Sequence, residues 1–485
     1  MKVMPKRTIQ RREFLGSTAL VALCRGISQG ASFEKTDARV ALEKSVTFFV
    51  DTIARHGGYV YRWSDDLAHS QGEVVTGPDT VWVQPPGTPE VGQSLLDVFE
   101  ITKLPKAREG AIAAARCLVR GQLRSGGWSD KIEFAKDARS KIAYRVDPVR
   151  KKPGFDVSTF DDDKTQSAVR FLLRFDHAFP SEFADVHECV TFALDSILKA
   201  QFPNGGFAQG WDEPADISKS ADSKASYPDT WSRTFPGYKE YWRFYTFNDG
   251  NVDRTIETLL LASRLTGDPK YRAAAIRAGE FILAAQMPDP QPAWAQQYDF
   301  EMKPVWARKF EPPAISGGES QKLLDTLMDL YVITGEDKFM APIPSALAWL
   351  DKVTLPDGRL ARFYELKTDK PLYFTRKYEL TYDDSDLPTH YGFKGNNRSN
   401  SLRKRFDTLK AASAKDLARM QEKMTIRKSF GIDKATAERV VKSLDNRGAW
   451  VEPGKIDKRP EGRIISSETF CKNVRGLAAF VGKPI

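Results

Sequence analysis

The chain has 485 residues, 41% of them hydrophobic and 28% charged, which supplies enough apolar material for a large globular core. Beyond the first thirty residues no run approaches the roughly 18 unbroken apolar residues of a membrane-spanning helix, so no membrane span is expected in the mature chain. A formal charge of +9 and a sequence pI of about 9.1 point to an acidic partner, whether nucleic acid, anionic lipid or acidic polysaccharide.

Residues 1–31 begin with Lys6 and Arg7, continue through Arg11-Arg12-Glu13-Phe14-Leu15 and reach a short apolar run from Ser17 to Leu23. This pattern resembles a twin-arginine export signal, with cleavage expected near Gly30 or Ala31, and predicts a periplasmic or extracellular protein. Leu23 is too large for the lipoprotein cleavage that Cys24 would otherwise suggest. Three further cysteines, Cys117, Cys189 and Cys471, are widely spaced with no Cys-x-x-Cys pattern. They are expected to be buried packing residues, with no disulfide framework or zinc site.

Apolar residues then recur at the i, i+3, i+4, i+7 spacing of a helix face over 41–53, 94–101, 107–121, 166–175, 188–200, 254–265, 269–286, 322–334 and 338–352. Strand-like alternation is scarce, so an all-α fold is expected. Three of these helices end in related phrases: Gln122-Leu123-Arg124-Ser125-Gly126-Gly127-Trp128, Gln201-Phe202-Pro203-Asn204-Gly205-Gly206-Phe207, and Gln286-Met287-Pro288 running on to Trp294. Leu355-Pro356-Asp357-Gly358 closes a fourth. A period of about 80 residues suits a helical hairpin with inserted loops, and predicts an (α/α) toroid whose loops surround a cleft at one end. The toroid is expected over residues 32–380. Residues 381–485 turn polar and basic, with helical patterns over 401–430 and 434–444, and read as an extension loosely tied to the core.

Within the toroid, Asp161, Asp162 and Asp163 stand together just before an apolar helix. One such acid is an ordinary N-cap, but three adjacent carboxylates repel unless a cation is present. Asn248-Asp249-Gly250 precedes a second helix in the same way. Two acidic helix starts facing one cleft could supply the oxygen ligands that a hard cation such as Ca²⁺ takes. Arginines form a third set: Arg308 in Trp306-Ala307-Arg308-Lys309-Phe310-Glu311, Arg362 in Leu360-Ala361-Arg362-Phe363-Tyr364-Glu365, and Arg376. Guanidinium forks bind uronate carboxylates bidentately, and interleaved Trp and Tyr, Tyr364 among them, would stack on sugar faces.

Several motifs in order carry a resemblance. Gly58-Tyr59-Val60 to Trp63, Val81 to Pro89, Asp161 to Thr165 with Arg170-Phe171-Leu172, Phe202 to Phe207, Thr246 to Asp249, Ala307 to Glu311 with Ser316 to Ser320, and Ala361 to Glu365 with Pro371-Leu372-Tyr373 are similar to the motifs of pectate lyases of polysaccharide lyase family ten. The similarity runs over roughly residues 45 to 380. It implies an (α/α) toroid and Ca²⁺-dependent β-elimination of α-1,4-polygalacturonate, with an acidic polysaccharide as partner and a monomer as the expected state. It also implies site roles: Arg376 as base and Asp161 as an essential acid, Asp161, Asp162 and Asp249 on the metal, and Arg308, Arg362, Asn248 and Tyr364 on the substrate. The chain departs from the family pattern at Asp162, where Asn is usual, and at Lys377-Tyr378, where Asp-Gly is usual.

Two other readings are open. A uronate-binding protein could keep the toroid and lose the chemistry. A terpene-cyclase-like toroid would share the Gln-x-x-x-Gly-Gly-Trp phrase and an Asp-rich segment, although the arginine set would repel a carbocation. Nucleic acid fits the charge less well, because the basic residues are dispersed.

Overall fold

The computed structural model describes residues 33–152, 154–219, 223–425 and 430–482. The signal-like segment 1–31, Cys24 included, lies outside them.

Fourteen α-helices form among the described residues: α1 (Lys35–Phe48), α2 (Thr88–Thr102), α3 (Pro105–Gly121), the single turn α4 (Lys136–Arg139), α5 (Lys164–Ala178), α6 (Ala184–Ala200), α7 (Asn251–Thr266), α8 (Pro269–Ala284), α9 (Gly317–Thr334), α10 (Ile343–Lys352), α11 (Ser399–Lys410), α12 (Ala414–Thr425), α13 (Lys434–Lys442) and α14 (Ser467–Gly482). The periodic stretch 338–352 is shorter than expected. Its start is a separate 3-10 turn, Asp337–Phe339, and α10 begins only after Pro342, which suits a first turn and not a helix interior. The stretch 401–430 divides into α11 and α12 at Ser413, whose hydroxyl accepts the Asp416 N–H at 3.2 Å while the Asp416 carboxylate accepts the Ser413 N–H at 3.1 Å.

Helices α2, α5, α7 and α9 pack side by side as an inner row, and α3, α6, α8 and α10 cover them from outside. α11 continues the row beside α9, and α14 continues it on the other flank, beside α2. This is the expected (α/α) toroid. Its repeated phrase does one structural job. Gln122 Nε2 donates to Gly126 O and to Cys189 O on α6, each at 2.9 Å. Gln201 Nε2 donates to Gly205 O at 3.1 Å and to Ala274 O on α8 at 2.9 Å. Gln286 Nε2 donates to Pro292 O at 2.8 Å and to Pro342 O, just ahead of α10, at 3.1 Å. Each glutamine therefore closes its own turn and ties it to the next outer helix. Gly205 is required there: its φ is +90°, and a Cβ would lie 2.0 Å from Arg277 O.

The C-terminal region is not the loose extension its composition suggests. Phe470, Val474, Leu477 and Ala478 give α14 a buried stripe against α1 and α2, and the Phe470 ring stacks on Phe49 with centroids 3.6 Å apart. Residues Gly462–Ser466 add an antiparallel strand to Arg62–Ser64, pairing Ile465 with Trp63. Arg475 is buried and donates to Asp97 Oδ2 at 2.6 Å. The polar average comes from α11 to α13, whose outward faces are charged, and it hides an apolar final helix. Cys117, Cys189 and Cys471 are buried and free, as expected.

The strands are short and antiparallel. Ser158–Thr159 pairs with Gly210–Trp211 ahead of α5, Tyr245–Thr246 pairs with Gln297–Tyr298 ahead of α7, and Ala314–Ser316 pairs with Phe363–Glu365 ahead of α9. They fix the loops that meet the N-termini of three adjacent inner helices.

Candidate active site

The starts of α5 and α7 follow the same backbone path. In each, a Phe in the right-handed region (Phe160, Phe247) leads into a 3-10 turn whose central acid is left-handed: Asp162 at φ 48°, ψ 36° and Asp249 at φ 51°, ψ 32°. The next residue is left-handed too, Asp163 at φ 64° and Gly250 at φ 79°. A side chain held there costs roughly 1 kcal/mol, with Asp among the more tolerant residues. The surroundings keep the turns in place. Gln166 Nε2 donates to Phe160 O at 2.8 Å, Asn251 Nδ2 donates to Thr246 O at 2.9 Å and Ala208 O at 3.1 Å, and Arg170 pairs with Asp163.

The turns bring Asp161, Asp162 and Asp249 together, with one carboxylate oxygen from each lying within 4.8 Å of the others. Crowding shows in their protonation. Burial, and then the neighbouring Asp161, push the Asp162 carboxyl up to about 6; burial, and then Asp162, push Asp249 up to about 7. The N-terminal ends of α5 and α7 favour negative charge here, but they do not neutralise three acids. Lys164 compensates part of it. Its buried ammonium lies 2.7 Å from Asp161 Oδ2, 2.9 Å from Asp130 Oδ1 and 4.0 Å from Asp162 Oδ2. Gln209 Nε2 donates to Asp161 Oδ1 at 2.8 Å.

Two of the expected arginines adjoin this cluster. Arg362 Nη2 donates to Asn248 Oδ1 at 2.8 Å and lies 3.9 Å from Asp249 and 3.6 Å from the buried Glu319. Its Nε is buried with no hydrogen-bond partner among the described residues. Arg308 donates from Nε and Nη2 to Glu311 at 2.7 and 2.6 Å, and its charge acts on Asp162. Glu311 is buried and also accepts the Tyr391 hydroxyl at 2.8 Å. The Tyr391 ring meets both guanidinium groups, with Cζ of Arg362 4.4 Å and Cζ of Arg308 5.7 Å from its centroid.

Two expected site residues are elsewhere. Tyr364 is fully buried, its hydroxyl donating to Val353 O at 2.8 Å and accepting the Ala361 N–H at 2.8 Å. It packs edge-on against Trp349. As the central residue of an inward strand it is a core tyrosine and offers no face to a sugar. Arg376 lies in the turn after Pro371–Phe374 with 68% of its side chain exposed, and its described ion pair is with Asp386 at 3.3 Å. Among the described contacts none joins it to the acids, because the turn carries it outward from the strand that precedes it. The sequence reading also missed Lys164, Gln209, Glu311, Glu319 and Tyr391. Lys164 was visible as the one cation closing the acid run. Tyr391 was signalled only by the aromatic pair Tyr391-Gly392-Phe393 in an otherwise polar stretch.

Residues 122–361 match the model of a family described as pectic acid lyase. Over that span the resemblance to the pectic acid lyases is established. The span contains all three acids, Asn248 and Arg308, and stops one residue before Arg362. Among solved structures, a variant of the family 10 polysaccharide lyase from Cellvibrio cellulosa in complex with trigalacturonic acid aligns over 67% of this chain and 99% of its own, at 17% identity and a TM-score of 0.46. A D-mannose isomerase aligns over 93% and 98%, at 14% identity and 0.42. Cellobiose 2-epimerase from Bacillus thermoamylovorans aligns over 91% and 98%, at 12% identity and 0.44. No curated protein matches the chain in sequence.

Proposed function

We propose that the chain is a Ca²⁺-dependent pectate lyase that cleaves α-1,4-polygalacturonate by β-elimination, leaving a 4,5-unsaturated product. One observation carries the reading: three carboxylates converge within 4.8 Å at the N-termini of two inner helices, with Arg308 and Arg362 beside them. The family match over 122–361 supports it. The donor set fits the metal, since three hard carboxylate oxygens, two with their protonation raised by burial and then by their neighbouring acids, form a site that a divalent cation relieves. Asp161, Asp162 and Asp249 would hold it. When bound, Ca²⁺ supplies positive charge beside a uronate carboxylate and so favours charge build-up there.

The protein's own groups do the rest. A uronate carboxylate at C6 makes the C5 proton acidic only while its charge is balanced, because the enolate-like transition state adds negative charge to the same group. Arg362, held by Asn248 and Glu319 with its buried Nε unpaired, is placed to clamp that carboxylate. A base takes the C5 proton, the C–H electron pair forms the C4=C5 bond as the C4–O bond breaks, and the departing oxygen takes a proton from solvent. We assign the base to Arg308, whose charge acts on Asp162, in preference to Arg376, whose described ion pair is with Asp386. Burial works against the charged Arg308, but Glu311 outweighs it and holds the guanidinium above its usual range. Lyase rate should therefore keep rising with pH, with no plateau in the neutral range. A terpene-cyclase reading has no support here, since the acids are flanked by Lys164, Arg308 and Arg362 and not by an apolar chamber.

The proposal includes export, supported by the signal-like residues 1–31 and by a substrate too large to enter a cell, and a monomeric state. No helix among the described residues is long and apolar enough to cross a membrane. The deciding experiment is ultraviolet absorbance of the conjugated product on polygalacturonate, with chelator and with added Ca²⁺. Absorbance that grows only with Ca²⁺ supports the reading. Tight polymer binding without any product would instead favour a uronate-binding protein.

A further inference from the structure

We infer that Tyr391 is a positioning residue that holds Arg308 and Arg362 on one face of the site, so that the segment leading into α11 completes the centre built by α5 and α7. The inference rests on the proposed reading of that site. Tyr391 lies outside the residues of the family match, and three observations carry it. Its ring contacts both guanidinium groups, at 4.4 Å for Arg362 and 5.7 Å for Arg308. Its hydroxyl donates to Glu311 Oε1 at 2.8 Å, the oxygen that also accepts Arg308 Nη2 at 2.6 Å. And Phe310 and Phe393 pack on the ring with centroids 4.7 and 5.2 Å away, which fixes its plane.

Two like charges facing one cleft repel, and both are drawn toward carboxylates at other points. An aromatic face carries a negative quadrupole, so a ring shared by both cations offsets that repulsion without adding a formal charge that would repel a uronate. Arg362 depends on it most. Its described hydrogen bonds, to Asn248 at 2.8 Å and Gln296 at 3.5 Å, and its ion pairs with Asp249 and Glu319 all run from Nη2, and Nε has no partner among the described residues, so the guanidinium plane can still turn about that one nitrogen and the ring face supplies the further constraint. Arg308 depends on the hydroxyl instead, through the shared Glu311.

The two halves of the side chain therefore separate by experiment. Tyr391→Phe keeps the ring and loses the bond to Glu311, so kcat should fall about three- to tenfold with KM within about twofold. Tyr391→Leu removes the ring, so KM should rise about tenfold as the Arg362 clamp loosens, with kcat falling as well. Tyr391→His, a smaller ring, should recover part of the KM. Each variant is checked by circular dichroism and thermal melting. If Tyr391→Leu does not fold, the kcat loss in Tyr391→Phe at unchanged KM decides. Calorimetric binding of trigalacturonate is measured in parallel and separates the two failures. A wild type that binds but never cleaves sinks the lyase reading, while weaker binding by Tyr391→Leu would still support the positioning role. Equal kinetics in all variants and wild type, or equal binding where no cleavage occurs, overturns the inference, as does a wild type that neither binds nor cleaves.

Discussion

The turns that open α5 and α7 share a backbone path and differ in how their charge is balanced. The first carries Asp161, Asp162 and Asp163 and is compensated from its own helix, by Lys164 and Arg170. The second carries Asn248, Asp249 and Gly250 and is compensated from across the cleft, by Arg362. The shared geometry fixes where an acid must stand, the left-handed middle residue. The flanking residues decide whether the neutralising cation is local or distant. A local cation makes a turn self-sufficient; a distant one couples it to whatever lies between.

Substitution should cost most at the middle acids of the two turns. Asp249→Asn and Asp162→Asn keep a residue that tolerates the left-handed conformation, so neither should lower thermal stability appreciably, while each removes one of three converging charges. Lyase activity should drop on the order of 100- to 1,000-fold in Asp249→Asn, the range seen when a group stabilising transition-state charge is deleted, and by less in Asp162→Asn, because Asn is usual at that position in the family the chain resembles. Normal activity in either variant, measured on polygalacturonate with saturating Ca²⁺, would remove that acid from the site. Next come the arginines: Arg308→Lys should cost kcat on the order of 100-fold, whereas Arg376→Ala should change KM alone, and modestly. The opposite ranking would restore Arg376 as the base.

A pH series sharpens the contrast between the apo and loaded cluster. Asp249 and Asp162 have folded values raised to about 7 and about 6. A raised carboxyl keeps protons in the folded state that the unfolded chain has already lost, so with chelator present stability should fall as pH rises from about 4 to about 7 and level off above. Added Ca²⁺ should stabilise more at about pH 8 than at about pH 5, because protons compete for the same oxygens. Melting curves with and without chelator test this, and parallel curves would show that the acids do not hold the ion. The smallest effect is expected at the third turn position. Asp163→Gly copies Gly250, relieving a left-handed side chain while losing the Arg170 pair, and the two changes should cancel to within about 1 kcal/mol by denaturant unfolding.

The toroid was legible because its signals are local. Helix periodicity and the glutamine phrases mark hairpins directly, and the acid clusters before α5 and α7 announce themselves in consecutive residues. Which of the three arginines reach the acids was not legible, because a guanidinium is placed by its partners and those partners are remote in sequence. Arg362 meets Asn248 from more than a hundred residues away, and Arg376 looks the same in sequence yet points to Asp386 in solvent. Tyr364 shows the same limit from the other side. Two residues from Arg362, it would share that residue's face in a continuous strand, but Arg362 falls between Leu360–Ala361 and Phe363–Glu365, and the break leaves Tyr364 packed against Trp349 in the core. The last helix was hidden for a different reason: averaging over a charged region erased the stripe of Phe470, Val474 and Leu477.

The bridging glutamines have a consequence beyond the fold. Gln122, Gln201 and Gln286 each stand where an outer helix ends and the long connection to the next inner helix begins. Because each is tied to the neighbouring outer helix, the root of every such connection is anchored independently of what the connection contains. Loops leaving from anchored roots can lengthen, shorten or change sequence without moving the helices around them, and the closure cost of extra residues grows only slowly with length. The rim of this ring is thus open to substitution at the mostly exposed stretches of these connections, such as 148–152 and 213–219, while the parts that carry Asp130, Gln209, Arg308 and Glu311 stay tied to the site.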